Sequence, residues 1–176
     1  MVDENIPNDL VARTWTTSVP PPTSLPRKTD LLIIGGGIVG VSTAWFLARQ
    51  GIDVVLCEKG YIAGEQSGRN WGWIRQQGRD PRELPMMIES SHIFANLEEE
   101  IGEDIGFRRS GCLYTATSEE DLQRYHDWVE IAKEFELDTK VIDADTLSGL
   151  ADGVWPGIYG AMYTPSDGFA EPHKTT

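Results

Sequence analysis

The chain is poor in the residue types that mark several common protein classes. It holds two cysteines, Cys57 and Cys112, in 176 residues, too few and too far apart for a disulfide framework or a zinc knuckle. Its three histidines, His92, His126 and His173, share no metal-ligand spacing with one another or with the cysteines, so no metal site is expected. Cys57 falls inside an apolar run and reads as a small core residue. Basic residues are also scarce: 15 against 28 acidic ones, a net charge of −13. Such a surface repels phosphate backbones and anionic lipid, which excludes nucleic acid as a partner. No apolar run is long enough to cross a bilayer. The opening MVDENIPND has neither the positive start nor the apolar stretch of a secretory signal, so a cytoplasmic location is the expectation. There is no internal repeat, no low-complexity tract and no G-x-S-x-G nucleophile elbow.

What remains is ordinary for a globular protein: 40% apolar and 24% charged residues. The length suits one domain with a core plus part of a second. Residues 1–29 lack periodicity and end in VPPPTSLPRK, which predicts an extended leader. From Asp30 the pattern sharpens into LLII, a short strand; GGGIVG, a glycine turn; VSTAWFLARQ, a helix ended by Gly51; and DVVLCE, a second strand. A loop rich in glycine, arginine and tryptophan then runs to Asp80, and loops of that kind carry function. Met87, Phe94, Leu97 and Ile101 mark one face of a helix stopping at Gly102. A strand at CLYTA comes next, then a helix from a Ser118–Asp121 cap to about Phe135, a strand near Val141, a brief helix from Asp145 and a strand in GIYGAMYT. The acidic EEE and EED runs read as solvated faces.

Gly35, Gly37 and Gly40 form G-x-G-x-x-G with a strand before, a helix opening inside it and a second strand ending in an acid. That context points to a dinucleotide cradle. Gly35 permits the tight turn, Gly37 lets backbone approach a pyrophosphate, and Gly40 lets the helix pack on the sheet. The pyrophosphate would rest on the amides at the helix start. Glu58, 18 residues after Gly40, is placed to accept ribose hydroxyls and to disfavour a 2′-phosphate. The glycine pattern alone does not separate NAD from FAD.

Beyond Glu58 the chain runs into KGYIAGEQSGRNWGWIRQQG. Glu58 and Lys59 closing the strand, then Gly64, then Ser67-Gly68-Arg69-Asn70-Trp71-Gly72, resemble the family of FAD-dependent oxidoreductases that includes D-amino-acid dehydrogenase, glycine oxidase and sarcosine oxidase. Asp167-Gly168 with Glu171-Pro172 after it is similar to that family's D-G-x-x-x-P element. The resemblance implies an α/β fold: a Rossmann-like FAD-binding βαβ unit over residues 30–80 and the start of an α+β substrate domain over 81–176, the whole being the amino-terminal part of a longer protein. It implies FAD held by Gly35, Gly37, Ile38, Val39, Gly40, Glu58, Lys59, Ser67, Arg69, Asn70, Gly72 and Trp73. Arg69 and Arg75 would bring positive charge toward the flavin or a substrate carboxylate, with a surface salt bridge as the other reading of either arginine. Trp71 and Trp73 would flank the ring or fill the core, packing being expected of Trp71. The implied reaction is oxidation of an amine or amino acid to an imine, with oxygen or an electron carrier as acceptor; no catalytic residue is named. The alternatives are an NAD-dependent dehydrogenase, which predicts a third parallel strand soon after Glu58, and a nucleotide-binding module without turnover.

Overall fold

The computed structural model describes Ser24, residues 26–154 and residues 156–176; most of the leader expected over 1–29 lies outside them. Along the chain the elements are β1 (Leu31–Ile34), α1 (Ile38–Ala48), β2 (Val54–Cys57), a 3-10 turn (Gln66–Gly68), β3 (Trp73–Ile74) and α2 (Leu84–Ile101). They continue with β4 (Cys112–Ala116), α3 (Glu119–Glu134), β5 (Lys140–Asp143), α4 (Ala144–Leu150), β6 (Gly160–Thr164), β7 (Gly168–Phe169) and α5 (Pro172–Thr175).

These elements form two compact units. The first comprises the described residues up to Trp71 together with Glu171–Thr176, the second Gly72–Ala170.

In the first unit β1 and β2 run parallel, Leu31 opposite Val54 and Ile34 opposite Cys57, and α1 is the crossover between them. The helix starts three residues before the point suggested by the apolar pattern. Gly37, extended at φ −81° and ψ 176°, is its N-cap. Its end agrees with the sequence reading. Gly51, at φ 78°, lets its own amide reach Ala48 O and the Ile52 amide reach Leu47 O, the paired bonds of a Schellman cap. Cys57 is exposed and not the core residue expected. Among the described strands β2 has only β1 beside it, and so small a sheet cannot bury the thiol. The first turn of α5 packs on the 3-10 turn.

In the second unit β4, β6 and β5 form an antiparallel sheet in that order, with Tyr114 opposite Met162 and Val141 opposite the same residue. Helix α3 packs on all three strands and α4 on β5 and β6. The buried centre is Ile142, Leu147 and Ala161, with Leu113, Val154, Ile158 and Tyr163 against it. Two predicted helix ends hold: Gly102 terminates α2 at φ 78°, and the Ser118 hydroxyl accepts the Asp121 amide at the start of α3.

A separate ribbon pairs β3 with β7, Trp73 opposite Phe169 and Ile74 opposite Gly168. Just beyond it, the Asp167 carboxylate accepts the amides of Gln76 (2.8 Å) and Gln77 (3.0 Å). Residues 72–80, read from the sequence as the end of the first domain, therefore belong to the second unit. Their partners lie some 90 positions later in the chain.

Candidate functional site

In the first unit the glycine turn is built by contacts that exclude side chains. Gly35 has φ +111°, a conformation L side chains rarely adopt, and its amide donates to Cys57 O at 2.8 Å. A Cβ on Gly40 would lie 2.0 Å from Gly35 O and 3.4 Å from Ile33 Cγ2, so only glycine lets α1 press this closely on β1. A Cβ on Gly37 would lie 3.0 Å from Ser67 Oγ. Gly36, which the sequence pattern did not single out, is less strictly confined: its Cβ would fall 2.5 Å from Ile62 Cδ1, the end of a side chain that can turn aside, and 3.1 Å from Glu58 Cβ.

The structure brings Gly37, Ile38 and Ser67 together at the start of α1. The Ile38 amide donates to Ser67 Oγ at 2.9 Å, leaving the hydroxyl hydrogen available to another acceptor. Gly37 offers no side-chain cap and the first turn holds no acidic residue, so the positive end of the helix carries no fixed counter-charge of its own. Val39, in that first turn, exposes 78% of its surface.

Glu58 is fixed beside this turn. Its Oε2 accepts the Gly36 amide at 2.7 Å and its Oε1 the Gly60 amide at 2.8 Å. Those two amides, Gly36 first, hold its carboxyl below the usual range. It therefore stays ionised at neutral pH, with lone pairs left for ribose hydroxyls. Lys59, Arg69 and Asn70 serve the neighbouring loop. Lys59 Nζ lies 2.9 Å and Arg69 Nη2 3.5 Å from the Glu65 carboxylate. The hydrogen bond and charge of Glu65 raise the Lys59 pKa. Asn70 Nδ2 donates to Ser67 O at 2.6 Å, bracing the 3-10 turn that presents Ser67.

The second unit holds Gly72, Trp73 and Arg75. Gly72 is buried at φ 69°, and its carbonyl accepts the Ala170 amide at 2.8 Å. Trp73 is 45% exposed. The packing expected of Trp71 is not found: it exposes 80% of its surface and does not fill the core. Arg75 is half-buried between two rings, its Cζ 5.6 Å from the centroids of both Trp73 and Tyr114. Nη1 donates to the Gln77 carbonyl. Among the described residues no carboxylate lies within ion-pair distance of it, so the salt-bridge reading of Arg75 is not realised there. Nearby, burial pushes the Tyr114 hydroxyl upward and the Cys112 thiol to about 11, Arg75 opposing both shifts.

The turn fits an adenine dinucleotide. It has a cradle that a Cβ would fill, a helix start without its own anion, a hydroxyl at that start and an ionised carboxylate 22 positions on from Gly36. The chain after β2 departs from the dehydrogenase expectation: among the described residues there is no third parallel strand, but a 3-10 turn and then β3, which pairs antiparallel with β7. Among the same residues no group of His, Cys, Asp and Glu could hold a metal ion, and no helix is long and apolar enough to cross a membrane.

Comparison with known proteins agrees with this geometry. The model of the FAD dependent oxidoreductase family matches residues 30–176, and the chain belongs to that family of flavoenzymes. Among solved structures it is similar to L-amino acid deaminase from Proteus myxofaciens, with 32% identity and a TM-score of 0.83 over 88% of this chain and 36% of that one. Glycine oxidase from Bacillus cereus is also similar, with 31% identity and a TM-score of 0.75 over 84% and 42%. The mitochondrial sarcosine dehydrogenase of Mus musculus is 27% identical over 88% of this chain and 17% of its own length. The chain thus spans less than half the length of each of these relatives. FAD is the cofactor of the family, and its members in these comparisons include oxidoreductases of amino acids and amines.

Proposed function

We propose that this chain forms the amino-terminal part of an FAD-dependent enzyme that oxidises an amine bearing a carboxylate, of the glycine, sarcosine or amino-acid type, to the corresponding imine. In this reading the start of α1, with Gly35, Gly37, Ile38, Val39 and Gly40, receives the pyrophosphate, and Ser67 donates its free hydroxyl hydrogen to it. Glu58 accepts the ribose hydroxyls. Lys59, Arg69, Asn70, Gly72 and Trp73 complete the cofactor's surroundings. When bound, FAD supplies the hydride acceptor, and the protein contributes position and charge.

The single observation behind the substrate class is Arg75. A chain of net charge −13 leaves a half-buried guanidinium without a carboxylate among its described residues and holds it between two aromatic faces. A guanidinium so placed suits a planar carboxylate delivered by the substrate. The names of the similar proteins, glycine oxidase, sarcosine dehydrogenase and L-amino acid deaminase, support a substrate carrying both an amine and a carboxylate.

The test is the absorbance of the purified flavoprotein between roughly 350 and 500 nm, the range of oxidised flavin. Spectra are taken anaerobically before and after adding glycine, sarcosine and a panel of amino acids. Bleaching by one of them supports the reading. A colourless protein that binds NAD overturns it.

A further inference from the structure

Asp167 carries no part of the cofactor or substrate site in the proposed function, yet its setting is costly. It is 1% exposed, and burial pushes its carboxyl upward against the opposing pull of the Gln76 and Gln77 amides. A carboxylate this buried needs a reason to be there, since an aliphatic residue would fill the space without the desolvation cost.

Its position supplies one. Continuing the β3–β7 register past Ile74 and Gly168 sets Arg75 opposite Asp167. The backbone ladder stops there, and the Asp167 side chain takes over. Oδ1 accepts Gln76 N at 2.8 Å and Oδ2 accepts Gln77 N at 3.0 Å. The residue doing the gripping is itself gripped, because its carbonyl accepts the Gly111 amide at 2.8 Å and its amide reaches Thr164 O at 3.3 Å. Gly168 beside it admits no side chain, an added Cβ meeting the Arg108 carbonyl. A second strap reaches the same segment. The Thr164 hydroxyl donates to Gln77 Oε1 at 2.8 Å, and that threonine is paired with Thr139 at 2.7 Å. Gln77 is fully buried. Gln77, held at its amide by Asp167 and at its side chain by Thr164, offers its carbonyl to Arg75 Nη1.

We propose that Asp167 is the positioning residue of the carboxylate site: by clasping the Gln76 and Gln77 amides it fixes the Gln77 carbonyl that orients the Arg75 guanidinium. The proposal rests on the reading of Arg75 as the substrate-carboxylate residue. Only a carboxylate does this work, because it accepts two amides at once; a carboxamide in the same place turns an NH2 group toward an N–H donor.

The test compares Asp167→Asn, Arg75→Gln and the double variant in the full-length flavoprotein. One readout is KM and kcat for whichever of glycine, sarcosine and D-alanine is turned over. The other is the dissociation constant of acetate, a bare carboxylate probe, from its perturbation of the flavin spectrum. Asp167→Asn is expected to raise both KM and the acetate constant by about tenfold, the loss of a charged hydrogen bond, with kcat and flavin content little changed. Combined with Arg75→Gln it adds almost nothing, because both act on one guanidinium. If Arg75→Gln weakens acetate and Asp167→Asn does not, the positioning role is wrong while the reading of Arg75 stands. Effects that simply multiply in the double variant overturn it too. If Arg75→Gln leaves acetate binding unchanged, the reading of Arg75 fails first. Should Asp167→Asn not yield folded flavoprotein, Thr164→Val decides: it cuts the second strap, and unchanged acetate binding overturns the proposal.

Discussion

Replacing Gly40 by alanine puts the cradle to a quantitative test. The new Cβ would lie 2.0 Å from Gly35 O, where real Cβ atoms essentially never come within 3.0 Å. Neither atom can rotate away, since one is fixed to a helix and the other is a main-chain carbonyl in the turn. The helix and the turn must therefore part by about 1 Å, in a structure whose interior packs without slack. Overpacking of this kind costs about 1–3 kcal/mol, and the helix-propensity gain of alanine over glycine returns at most about 1 kcal/mol. With that gain realised in full, the balance is a loss of up to about 2 kcal/mol, read as a lower urea midpoint. Cofactor binding suffers separately. The shift moves the Ile38 amide and Ser67 away from Glu58, and about 1.4 kcal/mol of lost contact corresponds to a tenfold weaker FAD dissociation constant, measured by quenching of flavin fluorescence. Gly149→Ala is the control. Nothing lies within 4 Å of its added Cβ, and it sits in α4, so propensity alone acts and the variant should gain about 0.5 kcal/mol. If Gly40→Ala matches the unaltered protein in both urea midpoint and FAD affinity, the close-approach argument is refuted.

Glu58→Gln should weaken FAD binding by about tenfold, because the carboxamide can accept only one of the Gly36 and Gly60 amides; titration of FAD fluorescence checks this. In the unaltered protein the same titration should be flat between about pH 5 and 8, since those amides hold the Glu58 carboxyl below its ordinary range. Ser118→Ala removes the acceptor of the Asp121 amide at the head of α3 and should cost about 1 kcal/mol of stability by urea unfolding. Asp121 itself accepts the amide and the hydroxyl of Thr117 and pairs with Arg124, which together hold its carboxyl at about 2. A folded pKa below the ordinary 3.8 stabilises above the unfolded value and loses that contribution as pH falls toward the folded one. The gap in melting temperature between the unaltered protein and Asp121→Asn should therefore close as pH is lowered from about 5 to 2, and a constant gap would count against it.

The βαβ unit was legible because each of its signals is local. The G-x-G-x-x-G spacing demanded a turn, and Gly35 at φ +111° together with the confinement of Gly40 shows why. Gly51 and Gly102 ended their helices as read, and Ser118 capped the next one. The crowding at Gly36 is invisible in the glycine spacing because it comes from the Ile62 side chain, 26 positions away in the sequence. Cys57 and Trp71 lie exposed where packing is expected, because apolar character in a short run says nothing of whether a neighbour exists to cover it. The nicotinamide alternative likewise depended on what pairs with what: β3 turns to β7 and adds no parallel strand beside β2 among the described residues.

The amino-acid sequence by itself thus determined the glycine turn, the acid that closes the second strand and the family, since glycine spacing, a strand-ending acid and helix caps act within a few residues or within one βαβ unit. The tertiary structure alone decided the setting of Arg75. The Trp73 and Tyr114 rings that flank it and the Asp167 clasp behind it are joined by contacts spanning up to 91 residues. No local pattern encodes such a pairing, because it exists only once two distant segments have been brought side by side in a sheet.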